Sequence, residues 1–431
     1  MITRIEQYNR NTYSIGLQYG SENNKRVDKL NAFLLVLSPI LQHYKGIYKN
    51  AGFTVIFLVA VISIMHLFTR IKSGRFDVKC LKAIVPLLIF QVYKMVDHSI
   101  SVNKLLYGIF MLIVFIAIAC GSINIKYIVK YATIIGSLAA ICLIIQYIFF
   151  YFFKQHIIMV PFSMLLPESD VWIMGVQTGL YGLRGIRSGF YRPSAFFLEP
   201  SHLFIYCFPM LCINLFQPAI NNWRKRKAIL LSLAMILSTS GMGIMVTITL
   251  WIIYFALYGH SLAVTKKSKL YNLFNVNNIL FVMFIIITIL VAYFLIPIFR
   301  NSVLRIFGLV NGERSSAIDG RTRLAKNLVY ELTGKDLFFG VTDNVDEINF
   351  NLPGFYATLY KNGIIGVILS YFFYIRGFIK LKDSFFWLNI IIVMISFFTA
   401  HTHGTFYMLY YVVLLINGYH HSYQQLNIQN V

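Results

Sequence analysis

The side chains best suited to chemistry fall in one short stretch, 192–202, which reads RPSAFFLEPSH. It runs straight into an apolar segment expected over 196–216, and Glu199 is the only acidic residue that falls inside a clearly apolar segment. A carboxylate within a bilayer is expensive and marks function by default. If the helix is continuous, Glu199 and His202 are three residues apart and share a face. Pro200 then marks the helix start or a kink. Either geometry aims the carboxylate into an outward-facing cavity. There it can serve as a general base, tuned by neighbouring arginines. The plainer alternative is that Glu199 caps the helix at the water interface and His202 hydrogen-bonds within the bundle.

Arginines form the second group. Arg184, Arg187 and Arg192 precede the same segment, and Arg314, Arg321 and Arg323 lie in a later polar stretch. Guanidinium groups bind phosphate oxygens through paired hydrogen bonds, so arginines beside lipid head groups suit a diphosphate-linked lipid. Binding of bulk anionic lipid, or pairing with loop carboxylates, is the other option. Residues 238–243 (STSGMG) interrupt a long apolar run. They mark either a broken helix lining a cavity or a plain short turn. Gly354 and the run NGIIG at 362–366 open another apolar segment, where glycines allow helices to approach closely. His401 and His403 lie in a short turn before the last apolar segment. They can contact a sugar or shuttle a proton, but their spacing does not make a metal site.

These residues must be positioned by membrane helices. Hydrophobic residues make up 58% of the chain and charged residues 13%, and mean hydropathy is +0.68. Soluble domains carry about 25% charged residues, so this chain has too little charge to wet its surface. The expected fold is all-α: a polytopic integral membrane helix bundle of about 12 transmembrane helices with two larger outer loops. Apolar segments are expected near 31–42, 52–69, 83–95, 105–120, 131–153, 196–216, 228–239, 243–258, 278–297, 354–375, 384–399 and 405–417. Residues 1–30 form an N-terminal cytoplasmic segment and 31–153 the N-terminal helices. The first outer loop is 154–195, and 196–297 holds the central helices. The second outer loop is 298–353, 354–417 the C-terminal helices and 418–431 a cytoplasmic tail. Within the second loop, Leu324, Leu328 and Leu332 have helical spacing. An amphipathic helix is expected there, lying on the membrane or capping the bundle.

Charge sets the orientation. The net charge of +22 is not gathered in one stripe, which argues against nucleic acid. Basic clusters such as Arg70, Lys72, Arg75, Lys79 and Lys82, or Arg224, Lys225, Arg226 and Lys227, fall in alternate loops. The positive-inside rule then puts the N-terminus and these loops in the cytoplasm. The two short outer loops hold only Lys45, Lys49, Lys94 and Lys104. The five cysteines lie in or beside apolar segments without paired spacing, so neither a disulfide framework nor a metal site is expected. The polar first thirty residues do not look like a cleavable signal peptide.

Taken in order, RPSAFFLEPS at 192–201, the break at 238–243, Gly320-Arg321-Thr322 and the run at 362–366 resemble the Wzy-type O-antigen or capsular polysaccharide polymerases, within the O-antigen ligase-like membrane superfamily. The likeness covers most of 185–370, and the first 150 residues match only as apolar helices. It implies an enzyme of the bacterial inner membrane that takes undecaprenyl-diphosphate-linked glycan at the outer face. The growing chain is transferred onto a lipid-linked repeat unit, with the diphosphate as leaving group. No cofactor, metal or nucleotide sugar is implied. The implied partners are the lipid-linked oligosaccharide, the bilayer, and a chain-length regulator and flippase of the same pathway. Carried over by position, Arg192 and Arg321, with Arg323, hold the diphosphate, and Glu199 or His202 activates the acceptor hydroxyl. Arg184, Arg187, Arg314 and His403 are candidate diphosphate or glycan contacts. The related ligases have a His/Asn pair where this chain reads Asn349-Phe350-Asn351, with no histidine. That departure argues against ligase activity. The alternatives are a flippase or exporter of lipid-linked oligosaccharide, or an O-antigen ligase. The identity of the sugar is not legible.

Overall fold

The computed structural model describes residues 22–46, 51–72, 78–95, 102–121, 123–155, 157, 159–160, 164–165, 193–216, 222–258, 325, 327–341, 352–399 and 405–429, and the isolated positions 294, 300 and 304. Among the described residues the chain is helical, with no strand beyond a single bridge between Tyr44 and Leu165. In chain order the helices are α1 (Glu22–Leu41), α2 (Ala51–Lys72), α3 (Val78–Met95), α4 (Val102–Ala119), α5 (Ile125–Phe152), α6 (Pro200–Phe216), α7 (Asn222–Leu237), α8 (Gly241–Tyr258), α9 (Gly334–Phe339), α10 (Gly354–Lys380), α11 (Asp383–Ser396) and α12 (Thr405–Gln429). The segment expected at 278–297 lies outside the described residues apart from position 294.

Three stretches are long and apolar enough to cross a membrane: Ala51–Thr69, Ile125–Phe152 and Gly354–Lys380. Shorter apolar helices cover Leu105–Ala119, Pro200–Phe216, Gly241–Leu257 and Asp383–Ser396. The outward faces of the long helices are apolar at helical spacing. Ile134, Leu138, Ile141, Ile145 and Ile148 are exposed along α5, and Ile368, Phe372, Ile375 and Ile379 along α10. A soluble helix would carry charge on that face, so these stripes fit a lipid environment. Several limits differ from the expected segments. α1 begins at Glu22 rather than 31, α6 begins at Pro200 rather than 196, and α12 runs on to Gln429.

The centre of the bundle is the pair α6 and α12. α6 is buried on every side after Ser201, and α12 is buried from Phe406 to Tyr419. The two run parallel, since Tyr407 meets His202 and Tyr410 stacks on Tyr206. α1 runs the opposite way beside them, for the Tyr206 hydroxyl donates to the carbonyl of Val36 at 3.2 Å while His43 meets His202. α3 and α10 are likewise antiparallel. The Tyr93 hydroxyl donates to the Asn362 carbonyl near one end, and Arg376 donates to the Lys82 carbonyl near the other. These pairs define two ends of the bundle, with α6, α8, α10 and α12 all starting at the same end. One end gathers His43, Glu199, Asn362 and Tyr407. The other gathers Asp28, His66, Lys130, Lys227 and Arg376.

Prolines inside three helices explain several of these contacts. A helical proline has no N–H and orphans the carbonyl four residues earlier, which must find a donor in an apolar interior. Pro39 orphans Leu35, whose carbonyl accepts from the Ser38 hydroxyl at 2.8 Å. Pro86 orphans Lys82, whose carbonyl accepts from Arg376 at 2.8 Å. Pro209 orphans Ile205, whose carbonyl accepts from the Tyr411 hydroxyl at 3.0 Å. Two of these donors come from another helix, so the breaks in α3 and α6 also fix their neighbours.

The amphipathic stretch of the second loop is present in part. Residues 325 and 327–331 are helical, and Leu328 and Leu332 are buried with Ala325, Leu352 and Tyr360. This face packs on the first turns of α10, so it caps the bundle. Leu324 lies outside the described residues. The glycines at 362–366 serve packing, as one of their expected uses. Gly363 has φ +61° inside α10, and a Cβ there would collide with the carbonyl of Phe338. Gly340, at φ +87°, would collide in turn with the carbonyl of Lys361. α9 is therefore held against a kink in α10 by two glycines that let backbone meet backbone.

Candidate functional site

The site is built on the residues that lead into α6. Pro193 has no donor and Pro200 suits the first helical turn, where an N–H would be orphaned in any case. Between them the chain is irregular. Ala195 sits at φ +54°, a left-handed conformation that costs an alanine about 1–3 kcal/mol. Such strain persists only where the surroundings enforce it. Here the Ala195 N–H donates to Oε1 of Gln146 at 3.0 Å, and the same amide donates through Nε2 to the carbonyl of Ile157 at 3.0 Å. Ser194 Oγ donates to the Phe197 carbonyl at 2.7 Å, and the Tyr44 hydroxyl reaches the Phe196 carbonyl at 3.4 Å. Gln146 and Tyr44 are clamps that sequence reasoning missed. Gln146 is the one amide side chain within the apolar run of α5, and its polarity was the only available signal.

Glu199 is half-buried and lies just outside α6. Its carbonyl accepts the N–H groups of His202 at 3.1 Å and Leu203 at 3.2 Å, so it occupies the capping position. The two side chains therefore do not share a face of one continuous helix, because the helix begins only at Pro200. One carboxylate oxygen, Oε2, accepts from Ser201 Oγ at 2.5 Å. Glu199 also lies within electrostatic reach of Tyr407.

His202 is buried in the first turn of α6. Its ring lies parallel to that of His43, with centroids 5.0 Å apart and planes 4° from parallel. Tyr407 flanks it with a centroid distance of 6.0 Å and donates its hydroxyl to the His202 carbonyl at 3.3 Å. The turn at 42–46 that carries His43 is itself pinned. The Lys45 N–H donates to the Met164 carbonyl at 2.7 Å, and Tyr44 packs with Val160, Leu165 and Leu198.

The break at 238–243 is a tight turn between α7 and α8, not a cavity-lining broken helix. Ser240 holds the start of α8, with the Gly243 N–H reaching its Oγ at 3.4 Å and the Ile244 N–H its carbonyl at 2.9 Å. Ser238, Thr239 and Ser240 are all buried. A Cβ on Gly243 would come within 3.3 Å of Phe204 Cβ. The turn therefore abuts the first turns of α6, on the side of the bundle that carries Glu199.

Of the candidate residues, the structure brings Glu199 and His202 together and adds His43 and Tyr407. Arg184, Arg187, Arg192, Arg314, Arg321, Arg323 and His403 lie outside the described residues, as does His401. Among the described residues no three His, Cys, Asp or Glu side chains are grouped to hold a metal ion. Compared with known proteins, the chain matches no protein-family model and no curated sequence.

Proposed function

We propose that the chain is an inner-membrane polysaccharide polymerase that lengthens a glycan held on undecaprenyl diphosphate, as its motifs resemble. The observation that carries this reading is the lead-in to α6. Residues 193–201 of the string RPSAFFLEPS form the strained, clamped segment that sets a carboxylate at the start of the central helix, where His43 stacks on His202. The antiparallel helix pairs and the basic residues gathered at the opposite end are in keeping with a bundle of about twelve spans. They also support an N-terminus on the cytoplasmic side, where positive charge is retained.

In this reading the acceptor sugar presents a hydroxyl to Glu199. The carboxylate takes the proton, and the oxygen's electron pair forms the new bond to the anomeric carbon of the donor chain. The bond from that carbon to the diphosphate oxygen breaks, and its electrons leave on the diphosphate. Arg192, Arg321 and Arg323 supply the charge that stabilises the departing diphosphate. Arg184, Arg187, Arg314 and His403 contact the diphosphate or the glycan.

A second reading, export of the same lipid-linked sugar, draws on a different observation. Asp28 is buried and pairs with His66 at 3.1 Å between α1 and α2. Buried ionisable pairs in membrane helices also mark ion and substrate paths. Gel profiles of surface polysaccharide separate the two. A deletion strain would be complemented with wild type, Arg192→Ala, Glu199→Ala or Arg321→Ala, with membrane levels checked by immunoblot. The polymerase reading expects single repeat units on the acceptor in the deletion strain, and no ladder from well-expressed variants. Loss of even the single-unit band would overturn it in favour of export or ligation.

A further inference from the structure

The part of the chain that matches the polymerases only as apolar helices also reaches the site. His43 lies in the turn after α1, more than 150 positions before His202, yet the two rings are stacked 4° from parallel. That arrangement is over-determined. The turn is tied to the first loop by the Lys45–Met164 backbone bond, and to the lead-in by the Tyr44 hydroxyl on Phe196. A Cβ on Gly52 would collide with the backbone of Gln42 and the ring of Phe406, so α2 and α12 also close on the turn without slack. Tyr407 donates to the His202 carbonyl at 3.3 Å, and its ring lies tilted 6.0 Å from the imidazole. A buried imidazole stacked on one ring and crowded by a second has little room to change rotamer.

We propose that His43 is a positioning residue of the acceptor site. By stacking on His202 it fixes that imidazole within one turn of Glu199, and His202 then orients the acceptor hydroxyl whose proton Glu199 takes. This inference rests on the polymerase reading and extends it to the N-terminal third of the chain. Positioning of this kind is worth a great deal, because a displacement of about 1 Å can cost about 100-fold in rate.

The test uses the full-length protein in proteoliposomes. The probe is undecaprenyl-diphosphate-linked repeat units extracted from the deletion strain, and chain lengthening is measured per molecule of folded protein. His43→Ala should lower the rate between about 10-fold and about 100-fold, while His43→Phe, which keeps a flat ring in the stack, should recover most of it. Because His43 acts through His202, His43→Ala with His202→Ala should be no slower than His202→Ala alone. A residue that only stabilises the fold would change the yield and melting temperature, but not this coupling. If wild type lengthens the chains and His43→Ala does so equally well, this inference falls while the polymerase reading stands. It also falls if the two losses multiply, or if a well-folded His43→Phe stays as slow as His43→Ala. If wild type itself lengthens nothing, the polymerase reading falls first and takes this one with it.

Discussion

The two ends of the bundle are built by different rules. At the end that holds Glu199, the backbone is irregular: Ala195, Thr239, Gly340 and Gly363 all have positive φ, and the segments are tied by side-chain to backbone hydrogen bonds. At the opposite end the described connections are the short ones between α4 and α5 and between α10 and α11, with positive φ at Gly121 and Asp383. Two of its cations rest on rings. Lys227 lies over Trp223 at 5.3 Å and Lys29 over Tyr127 at 5.7 Å. Non-helical backbone within a bundle must have every polar group satisfied, and strain gathers where it serves a purpose. The irregular end carries the candidate site, and the basic end carries the charge from which an orientation in the membrane is proposed.

The sharpest way to break this comparison is to remove one carboxylate from each end. Glu199→Gln should abolish lengthening, a loss of about 100-fold or more, at unchanged membrane level. Asp28→Asn should leave the rate per molecule intact and cost about 1–3 kcal/mol of stability, because His66 loses its partner. Equal losses of rate from both would erase the distinction and favour the transport reading. Next in size is Gln146→Leu, which deprives both the Ala195 N–H and the Ile157 carbonyl of their partner. It should slow lengthening by up to about 100-fold, with Glu199 itself untouched; an unchanged rate would show that the clamp is dispensable.

Two further substitutions act on stability. Gly363→Ala forces a left-handed alanine against the Phe338 carbonyl, costing about 1–3 kcal/mol. Thermal unfolding in detergent should show it, together with faster proteolysis around 325–341. Tyr411→Phe strands the Ile205 carbonyl in an apolar core at a cost of about 1–2 kcal/mol. Pro209→Ala in the same chain should return most of that by restoring the helical N–H donor. If Pro209→Ala gives no relief, the proline explanation of the tyrosine contact fails.

The smallest effect lies at the basic end. Burial, then the nearby Arg224 and Lys130, push the Lys227 ammonium below the ordinary lysine value. The unfolded chain therefore binds this proton more tightly than the folded one. Stability should rise with pH between the folded and the unfolded pKa. Lys227→Met should flatten that slope in melting curves recorded against pH. Because the side chain is largely solvated, the change should be the smallest of the five.

Much of this architecture was legible from residue order alone. Long apolar runs must become helices, because a bilayer offers no partner for open backbone polar groups. The run of α5 and the glycine-rich start of α10 therefore needed no tertiary information. The spacing of Leu328 and Leu332 showed one apolar face, and Pro200 marked a place where α6 could begin. The sequence could not choose between a face pressed on lipid and a face pressed on α10, since both are apolar. It also could not show that Glu199 caps α6 rather than sharing its face with His202. That depends on Ala195 being held left-handed by Gln146, forty-nine positions away. Residue spacing reports neighbours within a turn or two of helix, whereas His43, His202 and Tyr407 meet only because α1, α6 and α12 have ends at the same place. The chain order thus determined which segments are helices and which side chains are worth watching. Only packing decided which of them touch.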